Sequence, residues 1–169
     1  MTQSSRRRGT ARLAAVQALY AATLGGLPIG DVLRDVLEGR LGGEALADIP
    51  DPEGLFEPRE EAVPLAPVDS GLLTRLGRGA DAHLADLDQS IDACLSGDWS
   101  AGRLETLVRC ILRVAVFELV HLDDIPPRVT ITEYVDLAGA FYDGPEVRLV
   151  NAVLDRIARE THPDAFSSS

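Results

Sequence analysis

All sixteen cations of this 169-residue chain are arginine. Four of them, Arg6, Arg7, Arg8 and Arg12, fall in the first twelve residues with no acid among them. A guanidinium is planar, always charged and donates several N–H groups in a fixed fork, a match for phosphate oxygens. Such density leading into a helix is a recurrent RNA-binding design. Arg8 and Arg12 stand one turn apart and would share a face. Four phosphate contacts on a single strand imply a log–log salt slope of roughly −3. Aromatic residues are only 5% of the chain, so base stacking would fall to Tyr20 or to guanidinium planes rather than to an aromatic platform. On composition alone the competing reading is a solvated terminus.

Little else in the chain has the spacing that chemistry requires. His83, His121 and His162 lie on different elements, none beside a cysteine or carboxylate at metal-ligand spacing. Cys94 and Cys110 sit sixteen positions apart in apolar helical patterns and read as reduced core residues of a cytoplasmic protein. The pair Asp123-Asp124 falls in a connecting turn, where capping or solubility explains it. The string Gly77-Arg78-Gly79-Ala80-Asp81-Ala82 mimics a dinucleotide fingerprint, but no strand precedes it. No catalytic constellation, metal site or cofactor motif emerges, so the expectation is a non-enzymatic protein.

Net charge is −11 with a pI of about 4.6, which as a whole disfavours nucleic acid. The charge is uneven: the arm carries +4 and the remainder −15. Seven acids, one arginine and five prolines fall between residues 42 and 67, for a local charge of −6. That segment reads as a solvated insertion, with an acidic brake folded over the arginine arm as the sharper alternative. Hydrophobic residues at 46% exclude a wholly disordered chain. No apolar run has membrane-spanning length, and Arg12 and Gln17 interrupt the N-terminal stretch that a signal peptide would need.

Helical periodicity supplies the scaffold. Leu13, Val16, Leu19, Tyr20 and Leu24 predict a helix from Arg8 to Leu24 ending at Gly25-Gly26. A second is expected from about Ile29 to Leu41. A long one follows Pro67, capped by Asp69 and bent near Gly79. The segment from about Gly102 to His121, with Ser100 as candidate N-cap, is apolar around most of its circumference and reads as the buried central helix. Arg109 and Arg113 form its solvated or ion-paired edge, with Glu118 a poorly spaced partner for Arg113. Thr130-Ile131-Thr132-Glu133 reads as a capping box, with Val129 and Tyr134 as its staple. Pro145 opens a last helix, and the tail from His162 reads as frayed. The expected domain is residues 1–161, with the 42–67 insertion inside it and 162–169 as a flexible tail.

Several blocks carry a resemblance. They are Arg6-Arg7-Arg8, Ala11-Arg12 and Ala15-Val16-Gln17-Ala18-Leu19-Tyr20; then Ile91-Asp92, Trp99, Arg103-Leu104 and the run from Arg109 to Leu119; then Ile125-Pro126, Val129, Glu133, Leu137-Ala138, and the run from Val150 to Asp155. In order and approximate spacing this chain resembles the NusB family of bacterial transcription antitermination factors. The resemblance implies an all-α fold of about seven helices in two packed three-helix subdomains. It implies binding of single-stranded boxA RNA together with the ribosomal protein NusE, within an RNA polymerase antitermination complex on ribosomal RNA operons. By the same resemblance Arg6, Arg7, Arg8 and Arg12 are RNA-binding residues, with Gln17 and Tyr20 as further candidates.

The chain departs from the family pattern in places. Thr132-Glu133 stands where Asn-Glu is common, Gly139 where lysine is common, and Leu149 replaces an aromatic by the RNA and partner surface, so a stacking contact is not expected there, while Arg148 still supplies charge and is a further RNA-binding candidate. Some family members self-associate over the RNA surface, which leaves a homodimer open. The competing function is a protein-binding scaffold without direct RNA contact, which the acidic surface would suit. NusB-like domains also occur fused to RNA methyltransferases, but no βαβ pattern or glycine-rich cofactor loop supports an enzyme.

Overall fold

A computed structural model describes residues 2–39 and 68–167; the acidic 42–67 insertion lies outside the described residues. Seven α-helices follow one another: α1 Gln3–Gly25, α2 Ile29–Leu37, α3 Ser70–Ala82, α4 Leu84–Asp92, α5 Thr106–His121, α6 Pro127–Gly139 and α7 Pro145–Thr161. No strand occurs among the described residues. Helices α1, α2 and α3 pack mutually, as do α5, α6 and α7, and α1 and α3 both lie against α5. The two expected three-helix groups are therefore present, with α5 the seam between them and α4 laid against α5.

Local chemistry sets the boundaries. Helix α1 begins five residues before the sequence pattern predicts, because the Thr2 side chain accepts the Ser5 amide at 3.2 Å and continues the helix through the arginines. It ends at Gly26, whose φ of 61° is left-handed and whose amide reaches back to Ala22. Helix α2 stops at Leu37 rather than Leu41, followed by Gly39 at φ 74°. Asp69 caps α3 as expected, accepting the Leu72 amide at 3.0 Å. The break in the following stretch falls at His83 and not near Gly79; a His83 ring nitrogen lies 2.8 Å from the Gly79 carbonyl oxygen.

Gly79 has another role. A Cβ there would collide with the Phe117 ring, and one at Gly77 would lie 2.8 Å from Leu33. The two glycines let α3 approach α5 and α2 closely. Helix α5 is buried from Leu107 to Leu119 on nearly every side, as its composition requires. It starts at Thr106, after a 3-10 turn at Ala101–Arg103, and the Ser100 side chain makes no cap. Arg109 and Arg113 do form an ion-paired edge, but to α4: Arg113 binds Asp88 through two nitrogens at 2.7 and 2.8 Å, while Arg109 reaches Asp88 and Asp92.

Residues 162–167 are held against the helices. A His162 ring nitrogen lies 2.7 Å from the Leu119 carbonyl oxygen, and the Arg128 and Arg159 guanidiniums sit 4.7 and 5.0 Å from the Phe166 ring centre.

Candidate nucleic-acid interface

Helix α1 is 23 residues long, roughly 34 Å at 1.5 Å per residue, and it carries the arginine arm on its first two turns. Arg6, Arg7 and Arg8 are exposed and make no ion pair among the described residues. The helix end is held against the body: the Asp69 amide donates to the Arg7 carbonyl at 3.2 Å. Arg8 faces a shallow groove that also receives Asp69, Arg75 and Asp124. Arg75 and Asp124 pair across it at 3.1 Å. The Arg75 hydrogen bond, with Arg8 adding to it, holds the exposed Asp124 carboxyl below the usual carboxylate range. The arm is thus part of a helix rather than an extended tail.

Arg12 does not join this display. Only 3% exposed, it turns inward to Glu118, the lone acid of the buried run of α5. Its Nε lies 3.1 and 3.0 Å from Oε1 and Oε2 of the carboxylate and its Nη2 lies 2.8 Å from Oε1. Thr130 Oγ1 and Tyr134 Oη donate to the same carboxylate at 3.1 and 2.7 Å. The reading of Arg12 as a phosphate contact is corrected accordingly. A carboxylate inside an apolar helix is very costly without a counter-charge, and the face that α1 turns toward α5 places Arg12 there. Burial works against the charge, yet Glu118 more than offsets it and the Arg12 pKa is raised. Burial first, then Glu118, pushes the Tyr134 phenol well above its ordinary value.

The same cluster overturns the capping box. Helix α6 begins at Pro127, so Thr130 is already inside it and its hydroxyl serves Glu118 instead of a helix end. Glu133 turns toward Arg12, with 3.7 Å between Oε2 and Nη1.

The remaining candidates are dispersed. Gln17 is half-buried on α1. Tyr20, half-buried against the core, lies roughly 20 Å along the helix from the arm. It is within electrostatic reach of Tyr142, whose phenol is raised first by burial and further by Glu105 and Glu146. Arg148 is exposed on the first turn of α7, a helix that packs on α5 and α6. Leu149, beside it, is buried, so this position serves packing rather than stacking. The structure brings Arg6, Arg7 and Arg8 together, adds Arg75, and leaves Arg148 and Tyr20 on other parts of the surface. Arg75 had no sequence signal; Glu118 did, as a single acid in an otherwise apolar helix. Among the described residues no group of three or more His, Cys, Asp or Glu side chains could hold a metal ion, and no helix is long and apolar enough to cross a membrane.

The NusB family model matches residues 9–159. The chain belongs to the NusB family. A curated relative, the transcription antitermination protein NusB of Rhodospirillum rubrum, is 51% identical over 161 residues, which cover 95% of this chain and 87% of the relative. Among solved structures, T. maritima NusB superposes with a TM-score of 0.69 at 26% identity, over 99% of each chain. A structure of antitermination factors NusB and NusE in complex with dsRNA gives 0.68 at 24% identity, over 92% of this chain and 98% of that one, a likeness of fold.

Proposed function

We propose that this protein is a non-enzymatic transcription antitermination factor that binds boxA-type single-stranded RNA together with NusE, as part of an RNA polymerase antitermination complex acting on ribosomal RNA operons. The observation that carries this reading is the Arg6-Arg7-Arg8 triad, exposed and without an ion pair among the described residues, on the first turns of a helix fixed to the core. The name borne by its relatives and the NusE and RNA held by its structural relative support it. Guanidinium groups on an already formed helix meet phosphates with less ordering cost than those on an extended arm.

With Arg12 committed to Glu118, three arm arginines remain, which lowers the salt slope of the arm alone to roughly −2. Binding by three phosphates is weak and carries no base information. The net charge of −11 further opposes long-range attraction, so specificity and affinity depend on the protein partner. The test is a fluorescence titration of boxA-like and scrambled RNA, with and without NusE, at two salt concentrations. Preference for the boxA-like RNA, stronger with NusE and lost in the Arg6→Ala/Arg7→Ala/Arg8→Ala variant, is expected. Equal binding of both RNAs in every condition overturns specific recognition, and full antitermination by the triple variant favours a scaffold without direct RNA contact.

A further inference from the structure

The groove beside the arm holds a cation that the triad does not include. Arg75 projects from the second turn of α3, and Arg8 enters the same groove from α1. Asp124 lies in the turn between α5 and α6, bonded to Arg75 at 3.1 Å and within electrostatic reach of Arg8. Asp69 is also present, but its Oδ1 accepts the Leu72 amide at 3.0 Å as the cap of α3. The Arg75 and Asp124 side chains are 50% and 61% exposed, so water and salt screen their attraction and the pair is readily exchanged.

Two guanidiniums from different helices with one exchangeable oxyanion beside them form an arrangement that a phosphodiester also satisfies. We infer that Arg75 is a further RNA-contacting residue, and that Asp124 holds in the free protein the place that an RNA phosphate takes between Arg8 and Arg75. This rests on the RNA-binding reading above and extends the path of the strand from α1 onto α3. Asp124 then acts as a competitor: a strand that lays a phosphate in the groove must displace it, so it lowers affinity for that strand.

The experiment uses the full chain and the boxA-like RNA at two salt concentrations, comparing Asp124→Asn, Arg75→Gln, their combination, and Asp98→Asn. Asp98 is an exposed acid in the α4–α5 connection whose loss changes net charge equally. Asp124→Asn is expected to tighten binding by up to about fivefold, the factor that corresponds to one exposed ion pair, and by more than Asp98→Asn. Arg75→Gln should weaken binding, reduce the magnitude of the salt slope by about 0.7, and abolish the gain from Asp124→Asn. If Asp124→Asn merely equals Asp98→Asn, or Arg75→Gln binds as wild type, while the arm triple variant loses RNA, this inference falls and the RNA-binding reading stands. If the triple variant binds as wild type, both fall.

Discussion

The guanidinium of Arg12 and the carboxylate of Glu118 meet inside the protein, with Nε–Oε2 at 3.0 Å and Nη2–Oε1 at 2.8 Å, joining the first helix to the central one. Thr130 and Tyr134 of α6 complete the shell around the same carboxylate. The helix that presents Arg6, Arg7 and Arg8 is in this way tied to the second group of helices. Arg12→Ala leaves a buried, uncompensated carboxylate and should cost about 3–5 kcal/mol in urea unfolding. Glu118→Ala should cost at least as much, because two hydroxyls lose their acceptor as well. A loss below about 1 kcal/mol for Arg12→Ala would place the pair with ordinary surface bridges instead.

Gly79→Ala reverses the usual sign of a glycine substitution in a helix. Alanine would ordinarily stabilise a helix interior by about 1 kcal/mol, but here its Cβ meets the Phe117 ring. Overpacking should make the variant less stable by about 1–3 kcal/mol. Combining it with Phe117→Ala removes the obstruction, so the double variant should lose clearly less than the sum of the two single losses in chemical denaturation. Additive losses would show that the ring does not set the spacing of α3 and α5.

Asp88 couples α4 to α5 with a predictable pH dependence. Partial burial pushes its carboxyl up, but the hydrogen bonds and charges of Arg113 and Arg109 outweigh burial and leave it below its ordinary value. A carboxyl depressed in the folded state contributes stability above its unfolded pKa, near 4, and loses that contribution as pH falls through the folded value. Asp88→Asn should therefore be less stable than wild type by about 1 kcal/mol at pH 7, a figure suited to a partly exposed pair. The difference in Tm should shrink as pH falls below the unfolded value and close only once it has passed below the folded one. A gap that persists unchanged into acid would assign the loss to packing and not to charge.

Phe166 holds the C-terminal segment through the Arg128 and Arg159 guanidiniums stacked on its ring. Phe166→Ala removes both contacts, each worth about 0.5–1 kcal/mol at an exposed site. Amide exchange should quicken over residues 162–167 while the α5 core stays protected. Unchanged exchange in that segment would mean that the His162 contact to Leu119 suffices to hold it.

Much of the fold was legible because periodicity and caps are local. Asp69, Gly26 and Pro145 act at the ends where their chemistry predicts, and the apolar circumference of α5 announces burial. The errors lie where a distant partner claims a side chain. The Thr130-Glu133 spacing satisfies a capping box, yet Glu118 binds the Thr130 hydroxyl and Pro127 starts the helix three residues earlier. Arg12 reads as one more arm cation because its destination is 106 residues away in sequence. For the candidate site, the Arg6-Arg7-Arg8 triad was visible as composition. Arg75 was not, since only tertiary packing brings α3 and the α5–α6 turn to the side of Arg8.

The long separation of Arg12 from Glu118 also orders the protein's biosynthesis. Glu118 is made 106 residues after Arg12, an interval of roughly 5–20 seconds at ordinary translation speeds. Until α5 emerges, the nascent α1 lacks the Glu118 carboxylate that its inward arginine binds in the folded protein, so the packing of α1 and α3 on the central helix waits for that residue. A growing chain that ends before α5 is without that acceptor, and synthesis of α5 supplies the anion that holds the fourth arm charge inside the protein.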